Sequence, residues 1–440
     1  MRVLLITVGV LLALVAAALI GASLWIQSFV RSEAFRSLLA DATGDAFEAT
    51  ASFEPLRWTG ASVYAESAKL TGRNESALKE FQASQLRAEV NWRAAFSGAW
   101  RVEDLTISRL EGTWQFPSDK SAAQKKSSSA TKSPAGILAF LPKRFELGAL
   151  KIDAANLTFG NVRVRDSTIT IRPDGSGWLF QGSGGKLLFP GQPELVILGF
   201  RAREQGGEYF LTEGKFRLGK NGKISASGEF ADAPKIQLTW EEVSASDLLT
   251  GDWSQKLSGT LSGAASVTHP ERATGTFHLQ EGRLENIPLL STVADFTGNP
   301  AFRKMALQGI RGDFTYEKGS LQIRNFSAES KGLLRLEGSA TLGQRGELSG
   351  HFQIGVTAQS LQGLPGSRER VFTNPRDGYV WTDLTLGGTL KNPTENLSAR
   401  LAVAAGSSLI EKGAGLIKDP QGNAVEGVKS VLDLLQPLLP

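Results

Sequence analysis

The chain has 440 residues, with 48 Lys and Arg against 44 Asp and Glu, for a net charge of +4 at pH 7. The two signs are interspersed, so the clustered basic stripe of a nucleic-acid binder is missing. Cysteine is absent and histidine is limited to His269, His278 and His351. This excludes disulfides, thiolate metal sites and cysteine nucleophiles, argues against a histidine-rich metal centre, and fits an oxidising compartment.

The first element is an uncharged run from Val3 to Ile26, 24 residues long. As a helix it would span about 36 Å, enough to cross a hydrocarbon core of about 30 Å with some tilt. A cleavable signal peptide is the alternative, but its apolar region is typically shorter, and Ile20, Gly21 and Ala22 make a poor small-x-small cleavage site. Ser32 to Ala42 reads as a short helix with Phe35, Leu38 and Leu39 on one side. Strands are expected at Ala46 to Phe53, Ser62 to Leu70, Gln85 to Val90 and Arg101 to Trp114. Alternation then stops. Pro117 to Pro134 carries four lysines among serines and alanines with little apolar bulk, and is expected to be a solvated excursion from the sheet.

Beyond Ile137 a glycine precedes an apolar alternation four times: Gly214 before Phe216 and Leu218, Gly275 before Phe277 and Leu279, Gly312 before Phe314 and Tyr316, and Gly350 before Phe352 and Ile354. Each is read as a turn-permissive glycine opening a strand with one apolar face. Further alternating runs lie at Val162 to Ile171, Leu321 to Ile323, Leu334 to Leu342 and Leu397 to Val403. Their spacing is irregular, which favours a meander of antiparallel strands over a solenoid. After Val403 the pattern turns helical, with Leu409, Ile410, Leu416 and Ile417, then Val425, Val428, Leu432 and Leu435 at helical spacing. That stripe can close the end of the sheet or dock onto a membrane or partner.

Chemical motifs fail on inspection. Gly182 to Lys186 lacks the first glycine of a phosphate loop, where Phe180 stands, and its metal-binding hydroxyl is replaced by Leu187. A hairpin turn is the simpler reading. His278 lies between Phe277 and Leu279 and so points from the polar face of its strand. Asn74, Asn156, Asn325 and Asn396 each begin an N-x-S/T sequon, a frequent coincidence in polar segments. No catalytic residue, metal site or cofactor is indicated, and the chain reads as a binding protein rather than an enzyme.

The stretch Thr274 to Leu342 has strands and turns leading into a short helix from Pro288 and back into paired strands, and it resembles the C-terminal region of AsmA-like proteins. Gly388 to Pro393 is similar to that family's next element, and the N-terminal run, the short helix and Leu86 to Leu110 to its opening. The resemblance implies a single-pass inner-membrane protein with its body in the periplasm, related to bridge-like lipid-transfer proteins of the chorein type. On that basis the expected fold is mainly β, an elongated curled antiparallel sheet forming a groove. Residues 1–27 would be a transmembrane anchor, 28–116 a helix and strands, 117–136 a Ser/Lys-rich loop, 137–405 the β-rich groove and 406–440 a helical segment. Phe277, Leu279, Phe314, Tyr316, Leu321, Ile323, Leu334, Leu336, Phe352 and Ile354 would line one apolar face and touch phospholipid, or pack beneath a covering helix. The partners would be phospholipid, the inner membrane and other envelope proteins. The competing expectation is an envelope adaptor that uses the sheet only as a scaffold for protein contacts.

Overall fold

The computed structural model describes residues 28, 31–73, 76, 78–91, 93–94, 99–115, 144–230, 233–249, 253–269, 271–287, 290–291, 294, 299–362, 366–389, 392–404 and 406. The apolar run Val3 to Ile26, the Ser/Lys-rich segment and the helical stripe after Val403 lie outside these residues. Among those described, no helix is long and apolar enough to cross a membrane.

The chain is mainly β and divides into two units within one strand, at Phe216/Arg217. The first unit begins with helix α1 (Glu33–Ala46), whose N-cap Ser32 accepts a hydrogen bond from the Phe35 N–H at 3.3 Å. It continues through β1 (Ala49–Phe53), β2 (Arg57–Thr59), β3 (Ser62–Gly72), β4 (Leu78–Asn91), β5 (Ala99–Trp114), β6 (Arg144–Phe159), β7 (Val162–Asp174), β8 (Gly177–Ser183), β9 (Lys186–Leu188), β10 (Leu195–Gln205) and β11 (Glu208–Leu218). The second contains β12 (Gly222–Phe230), β13 (Lys235–Ser244), α2 (Ala245–Leu248), α3 (Trp253–Lys256), β14 (Leu257–His269), β15 (Arg272–Glu285), a 3-10 turn (Pro300–Phe302), β16 (Lys304–Leu307), β17 (Ile310–Glu317), β18 (Ser320–Ser330), β19 (Leu334–Leu342) and β20 (Leu348–Thr357). It closes with α4 (Ser367–Arg370), β21 (Asn374–Arg376), β22 (Tyr379–Gly388), β23 (Pro393–Glu395) and a helix over 397–404.

Three sequence expectations are corrected. The sheet is mixed rather than antiparallel, because β5 and β6 pair in parallel from Ala99↔Arg144 to Trp114↔Phe159. Parallel neighbours need a crossover of a dozen residues or more, and the long polar segment between them supplies that length. The run Leu397 to Val403 is helical, not a strand. Its apolar residues Leu397, Leu401 and Ala404 recur at i, i+4 and i+7 and are all buried. The Glu395 carboxylate starts this helix by accepting the backbone N–H of Leu397 and, at 3.0 Å, that of Ser398. Gly182 to Lys186 is not a hairpin: β8 and β9 both lie between β7 and β10, so Gly184 and Gly185, at φ 71° and 77°, jog a single strand line.

The core of the first unit has two clusters. One is built wholly from strand residues, among them Ala68, Leu110, Ile152 and Ala155, while the other packs Phe35 of α1 on Trp58 and Trp100. Across β3 to β6 the residues of the core face step by three rather than two at one level: Ala65 and Ala68, Ala83 and the half-buried Leu86, Ile107 and Leu110, Ile152 and Ala155. In the second unit the same slip occurs with register shifts between Trp240 and Val243 and between Ile323 and Phe326. Polar residues absorb it in left-handed backbone, Glu242 at φ 54° and Asn325 at φ 50°. Each slip keeps the apolar series on one face and adds bend and twist to the sheet.

The last strand of the second unit is closed along its outer edge. β21 and β23 pair with the two ends of β22. Between them Arg400 donates to the Asp383 carbonyl at 2.7 Å and to the Thr382 hydroxyl at 2.6 Å, and the Thr385 N–H donates to the Asn396 side chain at 2.9 Å.

Candidate functional site: the apolar face of the second unit

Residues paired directly across a ladder share a face, so the register assigns every side chain. Gly275 opposes Phe314, Phe314 opposes Ile323, Ile323 opposes Ala340, and Ala340 opposes Gly350. Tyr316 continues to Leu321 and Leu342, Phe277 to Gly312, Leu279 to Ile310, and Leu336 to Ile354. All ten expected residues therefore lie on one face, which runs back through Gly263 to Trp240 and Ile224 and forward to Leu384 and Leu386. Gln322 opposes Thr315 and Thr341 and points to the other side.

This face is divided. Toward one end, Leu279, Leu334, Phe352 and Ile354 are sealed into a core with Phe302, Leu361, Phe372, Leu397 and Leu401, none of which is more than 9% exposed. Phe277 and Leu336 pack against that core while remaining half-buried. Toward the other end, Phe314, Leu321 and Ile323 are half-buried and Tyr316 is 40% exposed. None of these four belongs to the core cluster or packs against it. Trp240 lies beside Phe314 with ring centroids 6.3 Å apart. At the rim Arg272 pairs with Glu317 across β15 and β17 and holds that carboxyl below the usual carboxylate range.

The glycines of the motif read in the sequence have a different job from opening strands. Gly275, Gly312 and Gly350 sit inside β15, β17 and β20. A Cβ on Gly275 would stand 2.7 Å from the Phe314 ring, one on Gly312 would stand 2.9 Å from Phe277, and one on Gly350 would stand 2.7 Å from Phe352. Trp240 occupies Gly263 in the same way at 2.4 Å. The rings of Phe314, Phe277 and Trp240 lie across the neighbouring strand where a side chain is missing, and that of Phe352 folds back over Gly350 of its own strand, an arrangement that compensates glycine within a strand. The result is a face floored by rings lying close to the backbone.

The opposite face is polar. Glu337 lies between Arg335 at 2.6 Å and Arg376 at 2.7 Å, and Arg376 stacks over Trp381 at 4.2 Å. Tyr379 donates to Glu329 at 3.0 Å; burial, then that hydrogen bond, raises the phenol above its ordinary value. His278 and His351 belong to this side, opposite Arg311 and Ser339. Among the described residues no cluster of His, Asp and Glu is placed to hold a metal ion. The sequons at Asn156 and Asn325 mark structural side chains: Asn156 accepts from the Asp166 N–H at 3.1 Å and Asn325 donates to Asp313 at 2.6 Å.

Sequence reasoning found the face and one part of its cover, the short helix after Pro288 that places Leu290 and Ala294 in the core, but not the rest. Phe302, Leu361, Phe372 and Leu401 come from short turns and helices whose apolar residues form no long periodic run, and Phe326 and Ala328 are hidden from a strict period of two by the slip at Asn325. Comparison with protein-family models, with curated proteins and with solved structures returns no match to this chain.

Proposed function

We propose that this protein is an AsmA-like envelope protein, held to the inner membrane by Val3 to Ile26, with its body in the periplasm, and that the open part of its apolar face takes up phospholipid acyl chains. The observation that carries this reading is the continuous apolar series from Trp240 to Leu342, half-buried and bordered by charged pairs, with polar residues on the reverse. Such a surface is costly to leave in water. An acyl chain laid along it gains about 0.8 kcal/mol per buried methylene while its headgroup stays solvated. The slips in β13 and β18 favour a sheet curled into a trough. In this role the sheet binds or guides lipid for envelope maintenance, and the sites of contact narrow to Phe314, Tyr316, Leu321 and Ile323, with Phe277 and Leu336 at the border of the cover.

The sealed half of the face favours the second reading, a scaffold acting through protein contacts, for that half. Photo-crosslinking separates the two. With the full chain in its native membrane, a crosslinker at Ile323 should capture lipid and one at Gln322 should not, while mass spectrometry of the purified chain should find phospholipid. Equal labelling at both positions, or adducts at Ile323 that contain only protein, would reject lipid guiding. A reporter fused after Pro440 should be active only outside the cytoplasm.

A further inference from the structure

The polar side of β17 to β19 holds a second feature. Where β18 slips between Ile323 and Phe326, Arg324 and Asn325 are turned outward, and the surface hollows into an open concavity of about 900 Å3. Its carboxylates are already satisfied. Glu337 is held by both Arg335 and Arg376, and Asp313 accepts from Asn325. Its other cations are not. Among the described residues the Arg311 side chain makes no hydrogen bond or ion pair, and the Arg324 side chain donates only to the neutral amide oxygen of Gln322, at 2.8 Å.

Three guanidiniums, Arg311, Arg324 and Arg335, line the hollow against two carboxylates, Asp313 and Glu337, and the first two of the three make no ion pair. A guanidinium presents a rigid fork of donors that matches a phosphate oxygen pair. Ser327 and Ser339 line the same hollow and add hydroxyl donors. We propose that this concavity binds a phosphate group, with Arg311 and Arg324 as the gripping pair and the Arg335–Glu337 pair, which Arg376 holds from outside the hollow, as the fixed wall behind them. The proposal does not rest on the lipid reading, because the hollow opens on the face opposite Ile323.

The test is isothermal titration of the purified full chain with inorganic phosphate and, separately, with soluble dihexanoyl phosphatidic acid. Both probes should bind. The double variant Arg311→Gln/Arg324→Gln should weaken binding by at least about tenfold, as lost charge-assisted hydrogen bonds require. Arg345→Gln, in the β19–β20 turn, should leave it unchanged. Both replaced side chains are exposed, so melting of the double variant should match the parent. Tighter binding of the lipid than of phosphate identifies a headgroup as the source of the anion, and equal binding identifies free phosphate. Failure of the parent to bind either probe at about 10 mM, or unchanged binding by the double variant, overturns the proposal.

Discussion

Replacing Gly275 by alanine tests the ring-on-glycine packing of the apolar face. The new Cβ would stand 2.2 Å from the Ala264 carbonyl oxygen and 2.7 Å from the nearest Phe314 ring atom. Ordinary contact needs about 3.5 Å, so the carbonyl is more than about 1 Å too close, and it belongs to a backbone locked in the β14–β15 ladder. Overpacking of this kind costs roughly 1–3 kcal/mol. Loss of glycine from the unfolded chain returns about 0.4–1 kcal/mol. The net expectation is about 1.3 kcal/mol of destabilisation, which lowers the melting temperature by about 3–5 °C for a unit of this size. Gly387→Ala in β22 is the control, since its Cβ meets only the Thr394 hydroxyl at 3.1 Å, and it should lie within about 0.5 kcal/mol of the parent. Calorimetry of the full chain, with hydrogen exchange at β14 and β15 to assign the transition, measures both. Equal stability of the two variants would refute the packing argument.

Three further outcomes are expected. Ile323→Asp should abolish lipid co-purification, because an unpaired charge on an apolar floor costs several kcal/mol, while Gln322→Asp should spare it; circular dichroism confirms folding of each. Arg400→Ala removes two hydrogen bonds from the β22 edge and should cost about 1–3 kcal/mol in urea unfolding, with concentration-dependent self-association by light scattering as the bared edge pairs. The raised Tyr379 phenol favours its neutral form in the folded state, so its contribution is complete below its ordinary value of 10.0 and is lost as pH rises through the higher folded value. Stability measured from pH 9 upward should fall more steeply for the parent than for Tyr379→Phe, and parallel curves would discount this pair.

Much of the fold was legible where a strand has one wet and one dry side. Leu334 to Leu342 alternates without interruption and forms β19 with those bounds. Legibility failed where a backbone feature resets the period. The left-handed Asn325 moves Phe326 and Ala328 onto the face of Ile323, so an alternation read from Leu321 ends at Ile323 although β18 continues to Ser330. Glycine misled for a related reason: its conformational freedom suggested turns, whereas at Gly275 and Gly312 its value is the missing Cβ, visible only when the ring on the next strand is placed. Leu397 to Val403 alternates as well as any strand, and only burial of Leu397 with Leu401 reveals a helix. Of the site, the facial assignment was readable. Which half is covered was not, because the covering residues are scattered singly through short connections.

The parallel ladder of β5 with β6 also bears on how the first unit assembles. On either side of it the strands join near neighbours: β1 to β5 through short antiparallel links, and β6 to β10 likewise. Only the β5–β6 pairing waits on a distant return, since Arg144 must come back beside Ala99 from a chain that left the sheet at Trp114, about 50 Å away along the strand. Local pairings close at small entropic cost and form early, while a long closure is rewarded only once the ladder is made. Each half is thus expected to nucleate independently, with docking along Ile107 and Ile152 as the late step. A backbone cut within 116–143 would turn that step into a bimolecular encounter between two preformed pieces, so the refolding rate of the cleaved protein would depend on concentration where that of the intact chain does not.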